Sequence, residues 1–331
     1  MKKSYLILII NILFSLSTFS EPMTLENFAE EFKAAIELCN QSRLEESLGK
    51  LDVLVKDEYA KKYPNVFSSR ASVLYYLGRY DEAKKDIDYC ISLEPDSIKP
   101  VFTRSFINIK LGDYNAALKD VELCLEKNYF WADAYQQKGL IFLYTKDYSK
   151  ALSCFEQTIS MANEIKPDYF ANQGFAHYYL QNYDKAKEDF LCSLAMAEKE
   201  DVYLCLVDVC YKLQQYDEGI KYANILISRG RRSDEAIIER AYIYLVQERY
   251  AEVKRDLDSL KKSCENKTSY HKVKGIYFIL QGDMKSAAKE LDKAQKLNPN
   301  DTDVLLLQEA LNSNETNIQT ILNSKIHSYN F

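Results

Sequence analysis

The sequence repeats itself at an interval of about 34 residues, and this period constrains the fold more than any other feature. In each copy a reference position, usually tyrosine, is followed three residues later by a small side chain and seven residues later by an apolar one. The reference positions are Leu44, Tyr80, Tyr114, Tyr148, Tyr183, Tyr216, Tyr250 and Met284. The intervals between them are 36, 34, 34, 35, 33, 34 and 34 residues. Eight copies at nearly constant spacing predict a chain that stacks similar units along one direction.

Residues 67–95 form the clearest copy and show what each unit contains. A first segment places its side chains at helical spacing, Gly78 interrupts the pattern, and a second segment resumes it until Pro95. The residues that share a face are Phe67, Arg70, Ala71 and Leu74, followed by Ala83, Ile87, Cys90 and Ile91. This pattern predicts two helices joined by a tight turn.

The order of a large residue, a small residue, a glycine turn, a tyrosine, an alanine, a bulky residue and a proline resembles the tetratricopeptide repeat, or TPR. The resemblance implies an all-α fold, a right-handed TPR superhelix (α-solenoid) of about eight helix-turn-helix repeats plus a C-terminal capping helix. We expect the array at residues 28–301, with a degenerate first repeat, and the capping helix and a tail at residues 302–331. The capping helix is expected because the last repeat would otherwise leave its apolar face uncovered.

The first twenty residues differ from the repeats and predict a signal peptide at residues 1–20. Two lysines follow Met1, an apolar run extends from Tyr5 to Phe14, and small residues precede Glu21, where cleavage is expected. The prediction is therefore an exported protein, in the lumen of the endoplasmic reticulum or secreted if eukaryotic, and periplasmic if bacterial. The alternative is an uncleaved segment from Tyr5 to Phe19 that anchors the chain in a membrane.

Composition and motifs argue against several classes of function. The net charge of −6 lacks the basic excess expected of a nucleic-acid-binding protein. The chain has three histidines and contains no glycine-rich phosphate loop or catalytic signature. About 274 residues belong to the predicted repeats, so no stretch of domain size remains for chemistry. We therefore expect no enzymatic activity, no cofactor and no metal site.

The eight cysteines invite a disulfide interpretation in an exported protein. However, Cys90 and Cys124 occupy equivalent slots on the packed face of the second helix, and Cys154 and Cys192 lie near that slot in the next two repeats. We therefore expect them to act as small buried apolar residues. A disulfide between Cys192 and Cys205 across a repeat boundary stays open as an alternative.

In the family that this chain resembles, the first helices line a concave groove that binds peptides. The positions that face the groove in that family can be located in this chain by counting from the reference positions. The resemblance implies that many of them are aromatic here, and aromatic side chains give large contact area at low entropic cost. The predicted groove residues are Tyr75, Lys99, Phe102, Phe106, Gln136, Leu140, Phe175, Tyr178, Tyr211 and Tyr242. The alternative for each residue is that it simply packs between repeats.

The pattern R-A-x-x-x-x-x-L-G-x-x-x-x-A-x-x-D that begins at Arg70 resembles the TPR region of the J-domain co-chaperone of the endoplasmic reticulum lumen, although no J-domain follows. The resemblance implies a non-enzymatic scaffold that binds proteins or peptides, such as unfolded clients or a chaperone. The alternative is a membrane-held structural or assembly subunit that organises a protein complex. The side chains with which some TPR proteins hold acidic chaperone C-termini are replaced here by Ser68, Ser72, Thr103, Asp133 and Gln137.

Overall fold

The structure is a computed structural model that describes residues 23–128, 131–260 and 262–313. The predicted signal peptide and the tail after residue 313 lie outside the described residues. Within them the chain forms 17 α-helices, one short 3-10 helix at Glu58–Lys61, and no strand. The helices are α1 (Leu25–Asn40), α2 (Leu44–Leu54), α3 (Asn65–Tyr76), α4 (Tyr80–Leu93), α5 (Ile98–Lys110), α6 (Tyr114–Lys127), α7 (Ala132–Tyr144), α8 (Tyr148–Met161), α9 (Pro167–Tyr179), α10 (Tyr183–Met196), α11 (Glu200–Lys212), α12 (Tyr216–Ser228), α13 (Ser233–Val246), α14 (Tyr250–Leu260), α15 (Thr268–Leu280), α16 (Met284–Leu297) and α17 (Thr302–Ser313).

The second helix of every pair begins at the reference position found in the sequence, from Leu44 for α2 to Met284 for α16. The prediction of eight helix-turn-helix repeats is therefore confirmed, and α17 follows the eighth pair as the predicted capping helix. Asp301 caps α17 because its side-chain oxygen accepts hydrogen bonds from the backbone N–H groups of Asp303 and Val304, both at 3.1 Å. Val304 and Leu307 of this helix are fully buried.

The turn inside each pair uses the same backbone conformation eight times. The residue two positions before each reference position has a positive φ between 56° and 77°. Glycine, which adopts this conformation without a steric penalty, occupies it only at Gly78, Gly112 and Gly282. In the other five turns a residue with a side chain takes the left-handed conformation: Ser42, Lys146, Gln181, Gln214 and Glu248.

The helices of a pair approach closely at the small residue that follows the reference position. Ala83, Ala117, Ala151 and their equivalents have no exposed surface, and Val253, the largest residue at this position, is also fully buried. A second close contact occurs at Gly275, where an added Cβ would lie 2.7 Å from Cδ2 of Leu291. The sequence period therefore reports where one helix crosses another.

The chain divides into two compact units, residues 1–141 and 142–331, with the border inside α7. The core of the first unit runs from Phe28 through Leu51 and Ile87 to Ile107. The core of the second unit is built from three clusters, around Phe190, Leu226 and Tyr270. No helix of the described residues is long and apolar enough to cross a membrane.

Each of the eight cysteines is a free thiol in this structure. Cys90, Cys124 and Cys154 are buried, as predicted. Cys192 is exposed, so the prediction that it also fills a packed slot is wrong. It lies two positions after Phe190, the residue that fills the space between the helices, and its side chain therefore points away from the core.

Candidate functional site

Arginine side chains position several first helices by bridging two second helices. Arg104 of α5 contacts both oxygens of Asp120 on α6 at 3.0 and 2.6 Å, and it donates a further hydrogen bond to Asp88 on α4 at 2.9 Å. The hydrogen bond to Asp120 raises the pKa of Arg104, so this cation is permanent. Asn108 also donates to Asp120, at 2.9 Å. Equivalent bridges join Arg70 to Asp86 and Asp52, and Arg240 to Asp256 and Asn224.

The fifth repeat lacks this bridge because Gln173 stands where the second, third and seventh repeats have arginine. The acid is retained as Asp189, and no donor in the described part of the chain bonds its buried Oδ2. The nearest cationic candidate is His177, whose Nε2 lies 4.0 Å from Oδ2. Burial raises the pKa of Asp189 to about 7 and lowers the pKa of His177. The contact between α9 and α10 therefore contains a poorly solvated carboxyl group rather than a fixed ion pair.

Two predicted groove residues of α5, Phe102 and Phe106, form an aromatic cluster with Trp131 of the connection before α7. The ring centroids of Phe102 and Phe106 lie 5.1 Å apart, edge to face. The indole of Trp131 lies 4.3 Å from the ring of Phe102. All three residues are only half-buried, so they keep apolar surface that a partner could cover.

The other predicted groove residues of the first unit are more varied. Tyr75 is half-buried and its ring lies 5.6 Å from that of Tyr76, which is 68% exposed. Lys99 is exposed and Leu140 is half-buried. Gln136 is buried, and its Oε1 accepts no hydrogen bond from the described residues. The prediction that these side chains contact a peptide stays a prediction.

The predicted groove tyrosines of the second unit are buried. Tyr178, Tyr211 and Tyr242 expose 6%, 6% and 3% of their surfaces and belong to the hydrophobic clusters of that unit. The hydroxyl of Tyr178 donates a hydrogen bond to the fully buried carboxylate of Asp208. Burial raises the pKa of all three hydroxyls above their usual range, so they stay neutral. Phe175 is half-buried and packs edge to face on Phe190 at 5.2 Å. The three tyrosines therefore pack inside the hydrophobic clusters of this unit, and their contact with a peptide stays a prediction.

The described residues contain no group of three or more histidine, cysteine, aspartate or glutamate side chains placed to hold a metal ion. What the first unit offers instead is an aromatic surface framed by polar side chains. Such a surface can bind a polypeptide through apolar contact and shape.

Comparison with known sequences agrees with the repeat and the fold. The sequence model described as tetratricopeptide repeat matches residues 65–97 and 132–165. The chain therefore contains TPR repeats. A TPR repeat-containing protein of Methanocaldococcus jannaschii is 24% identical to it over 69% of this chain. The chain spans 43% of that relative's length, less than half.

Solved structures with the same fold include a hetero-tetramer of Cut9 and Hcn1 from the APC/C and a protein from Pseudomonas aeruginosa, pilF. The first superposes with a TM-score of 0.60 at 13% identity and covers 89% of this chain and 57% of that chain. The second superposes with a TM-score of 0.55 at 16% identity and covers 63% and 95%. At these identities the likeness shows the fold alone.

TPR folds bind peptides or proteins, and they typically serve as non-enzymatic interaction scaffolds. Trp131 is a candidate binding residue that the sequence analysis missed. Only positions on first helices were counted there, and Trp131 lies in the connection before α7. One signal in the sequence could have found it. It is the only tryptophan of the chain and directly precedes a predicted first helix.

Proposed function

We propose that the protein is an exported, non-enzymatic scaffold that binds polypeptide segments on the first helices of its first unit, in the manner of a client-holding co-chaperone. The observation that carries the proposal is the half-buried cluster of Phe102, Phe106 and Trp131. Partly exposed aromatic rings that lie side by side keep apolar surface in contact with water. A partner that covers this surface gains the free energy of burying it.

The binding test replaces Phe102 and Phe106 together by aspartate. The expected result is a loss of at least tenfold in the amount of denatured model protein captured, because both rings leave the contact surface and two charges enter it. The matched control replaces two exposed apolar residues on second helices of the same unit, Val53 and Leu123, which are 58% and 40% exposed, by aspartate. Capture that is equal for the two double variants would overturn the proposal, provided that circular dichroism shows both to be folded.

A direct readout comes from Trp131 itself. Because it is the only tryptophan, selective excitation reports on this cluster and on no other part of the protein. We expect an apolar peptide to shift the emission to shorter wavelength as the indole loses water. A peptide that binds without changing the emission would place its site elsewhere.

Export is a separate part of the proposal and rests on residues 1–20 of the sequence, with their charged start and apolar run. The test is N-terminal sequencing of the protein isolated from its native cells. A chain that begins at Glu21 supports export. A chain that retains Met1 and sediments with membranes would support the anchored alternative.

A further inference from the structure

The exposed face of α5 carries charge as well as aromatic rings. Lys99, Phe102, Phe106 and Lys110 are separated by three, four and four residues, so they follow one face of the helix. The eleven residue-to-residue steps from Lys99 to Lys110 are about three turns, or about 16 Å along the axis. The two aromatic rings therefore lie between two lysines on a single stripe.

These two lysines differ from the other cations on first helices of the first unit. Both are exposed, and neither makes an ion pair with any of the described residues. Each of the other cations there does form an ion pair: Lys33 with Glu37, Arg70 with Asp52 and Asp86, Arg104 with Asp88 and Asp120, and Lys138 with Glu122. In a chain of net charge −6, a stripe with two uncompensated positive ends is a local exception.

The neighbouring first helices contribute little opposing charge to this stripe. The groove-facing slots of α3 hold the uncharged residues Ser68, Ser72, Tyr75 and Tyr76. Those of α7 include a single acid, Asp133, in the slot that corresponds to Lys99. The stripe is therefore complementary to a segment that is apolar in the middle and negatively charged at both ends.

We propose that the first unit selects polypeptide segments in which an aromatic or large apolar residue lies between two acidic side chains. The inference rests on the proposed function, and it adds the chemistry of the partner. An extended chain advances about 3.3 Å per residue and alternates its side chains between two faces. Two acids that share a face with the central side chain would therefore be four residues apart, or about 13 Å, a span that the long lysine side chains can accommodate. The central side chain would pack on Phe102, Phe106 and Trp131, and each acid would lie near one lysine.

The test uses three synthetic peptides with the same central phenylalanine and with residues two positions before and two positions after it that are both Asp, both Asn or both Lys. Binding is followed by the fluorescence of Trp131. Because each exposed ion pair contributes little, we expect the Asp peptide to bind about three- to tenfold more tightly than the Asn peptide at low salt. The Lys peptide should bind more weakly than either, and high salt should remove the differences.

The variant that tests the assignment is Lys99→Gln with Lys110→Gln. It should bind all three peptides with nearly the affinity that the wild type has for the Asn peptide. The matched control is Lys85→Gln with Lys119→Gln, which removes two exposed lysines from the second helices α4 and α6 and should leave the preference for the Asp peptide intact.

The outcomes separate the two proposals. If the wild type binds the Asp and Asn peptides equally, or if the control variant loses the preference as fully as the Lys99 and Lys110 variant does, the charge inference is overturned while peptide binding stands. If none of the three peptides binds and the Phe102 and Phe106 variant also captures denatured protein normally, the proposed function fails, and the charge inference fails with it.

Discussion

Removing the guanidinium of Arg104 should cost far more stability than removing a similar side chain on the surface. Arg104→Met keeps most of the apolar stem but leaves Asp120, whose side chain is 6% exposed, without its cation. Breaking one partner of a buried pair costs about 3 to 5 kcal/mol. Asn108 still donates to Asp120, and the side chain of Arg104 is 26% exposed, so we expect a loss of about 2 to 4 kcal/mol.

The assay is urea denaturation followed by circular dichroism, with Arg79→Met as the matched control. Arg79 pairs with Glu82 at 2.7 Å, but the two side chains are 44% and 52% exposed, so its loss should change the stability little. Replacing both members of the buried pair, Arg104→Met with Asp120→Leu, should recover much of the lost stability, because no uncompensated charge remains. Equal losses for Arg104→Met and Arg79→Met would refute the reasoning.

Four other perturbations test individual positions. Burial raises the pKa of Asp189 from 3.8 to about 7, so its contribution to stability is present below pH 4 and lost as the pH rises to 7. In denaturant titrations the stability of the wild type relative to Asp189→Asn should therefore fall by about 1.4 kcal/mol per pH unit across that window, and a constant difference would contradict this account. Gly275→Ala should destabilise by about 1 to 2 kcal/mol, because the added methyl group would lie 2.7 Å from a buried leucine carbon. Gly49→Ala, which meets no atom within 4 Å inside a helix, should stabilise by up to about 1 kcal/mol in the same thermal or chemical denaturation assay. Burial raises the pKa of the Cys90 thiol to about 11, whereas Cys192 is exposed. Iodoacetamide near neutral pH should therefore label Cys192 well before Cys90, as followed by mass spectrometry. Comparable labelling rates would show that the buried site of Cys90 opens readily.

The helical architecture could be predicted from the sequence because the constraint recurs. Two helices that cross closely need residue types like those of Tyr80, Ala83 and Ile87 at these positions. The same requirement occurs in eight repeats, and this makes the period visible in the sequence. The second helices consequently begin where the sequence places them. These recurring residues report how neighbouring repeats pack on each other. They do not report what the protein binds.

The candidate site was less predictable because it occurs once. Phe102 and Tyr242 both fall in groove-facing slots by counting, yet Phe102 is half-buried and Tyr242 is 3% exposed. The slot gives the direction of a side chain and not what covers it. Trp131 lies outside the counted helices, so a rule based on helical spacing could not include it. The missing partner of Asp189 likewise became visible only after the structure showed arginine pairing with the equivalent acid in the second, third and seventh repeats.

The left-handed residue in each of the eight turns has a consequence for how such a chain can change over time. What recurs there is a dihedral angle, and Lys146 or Glu248 provides it as well as Gly78 does. The identity of the residue is therefore free to drift, at a cost of about 1 kcal/mol where glycine is lost. The length of the turn is held more tightly: in all eight pairs the left-handed residue stands two positions before the second helix begins. Evolution can therefore exchange the residue at this position more easily than it can change the number of residues in the turn.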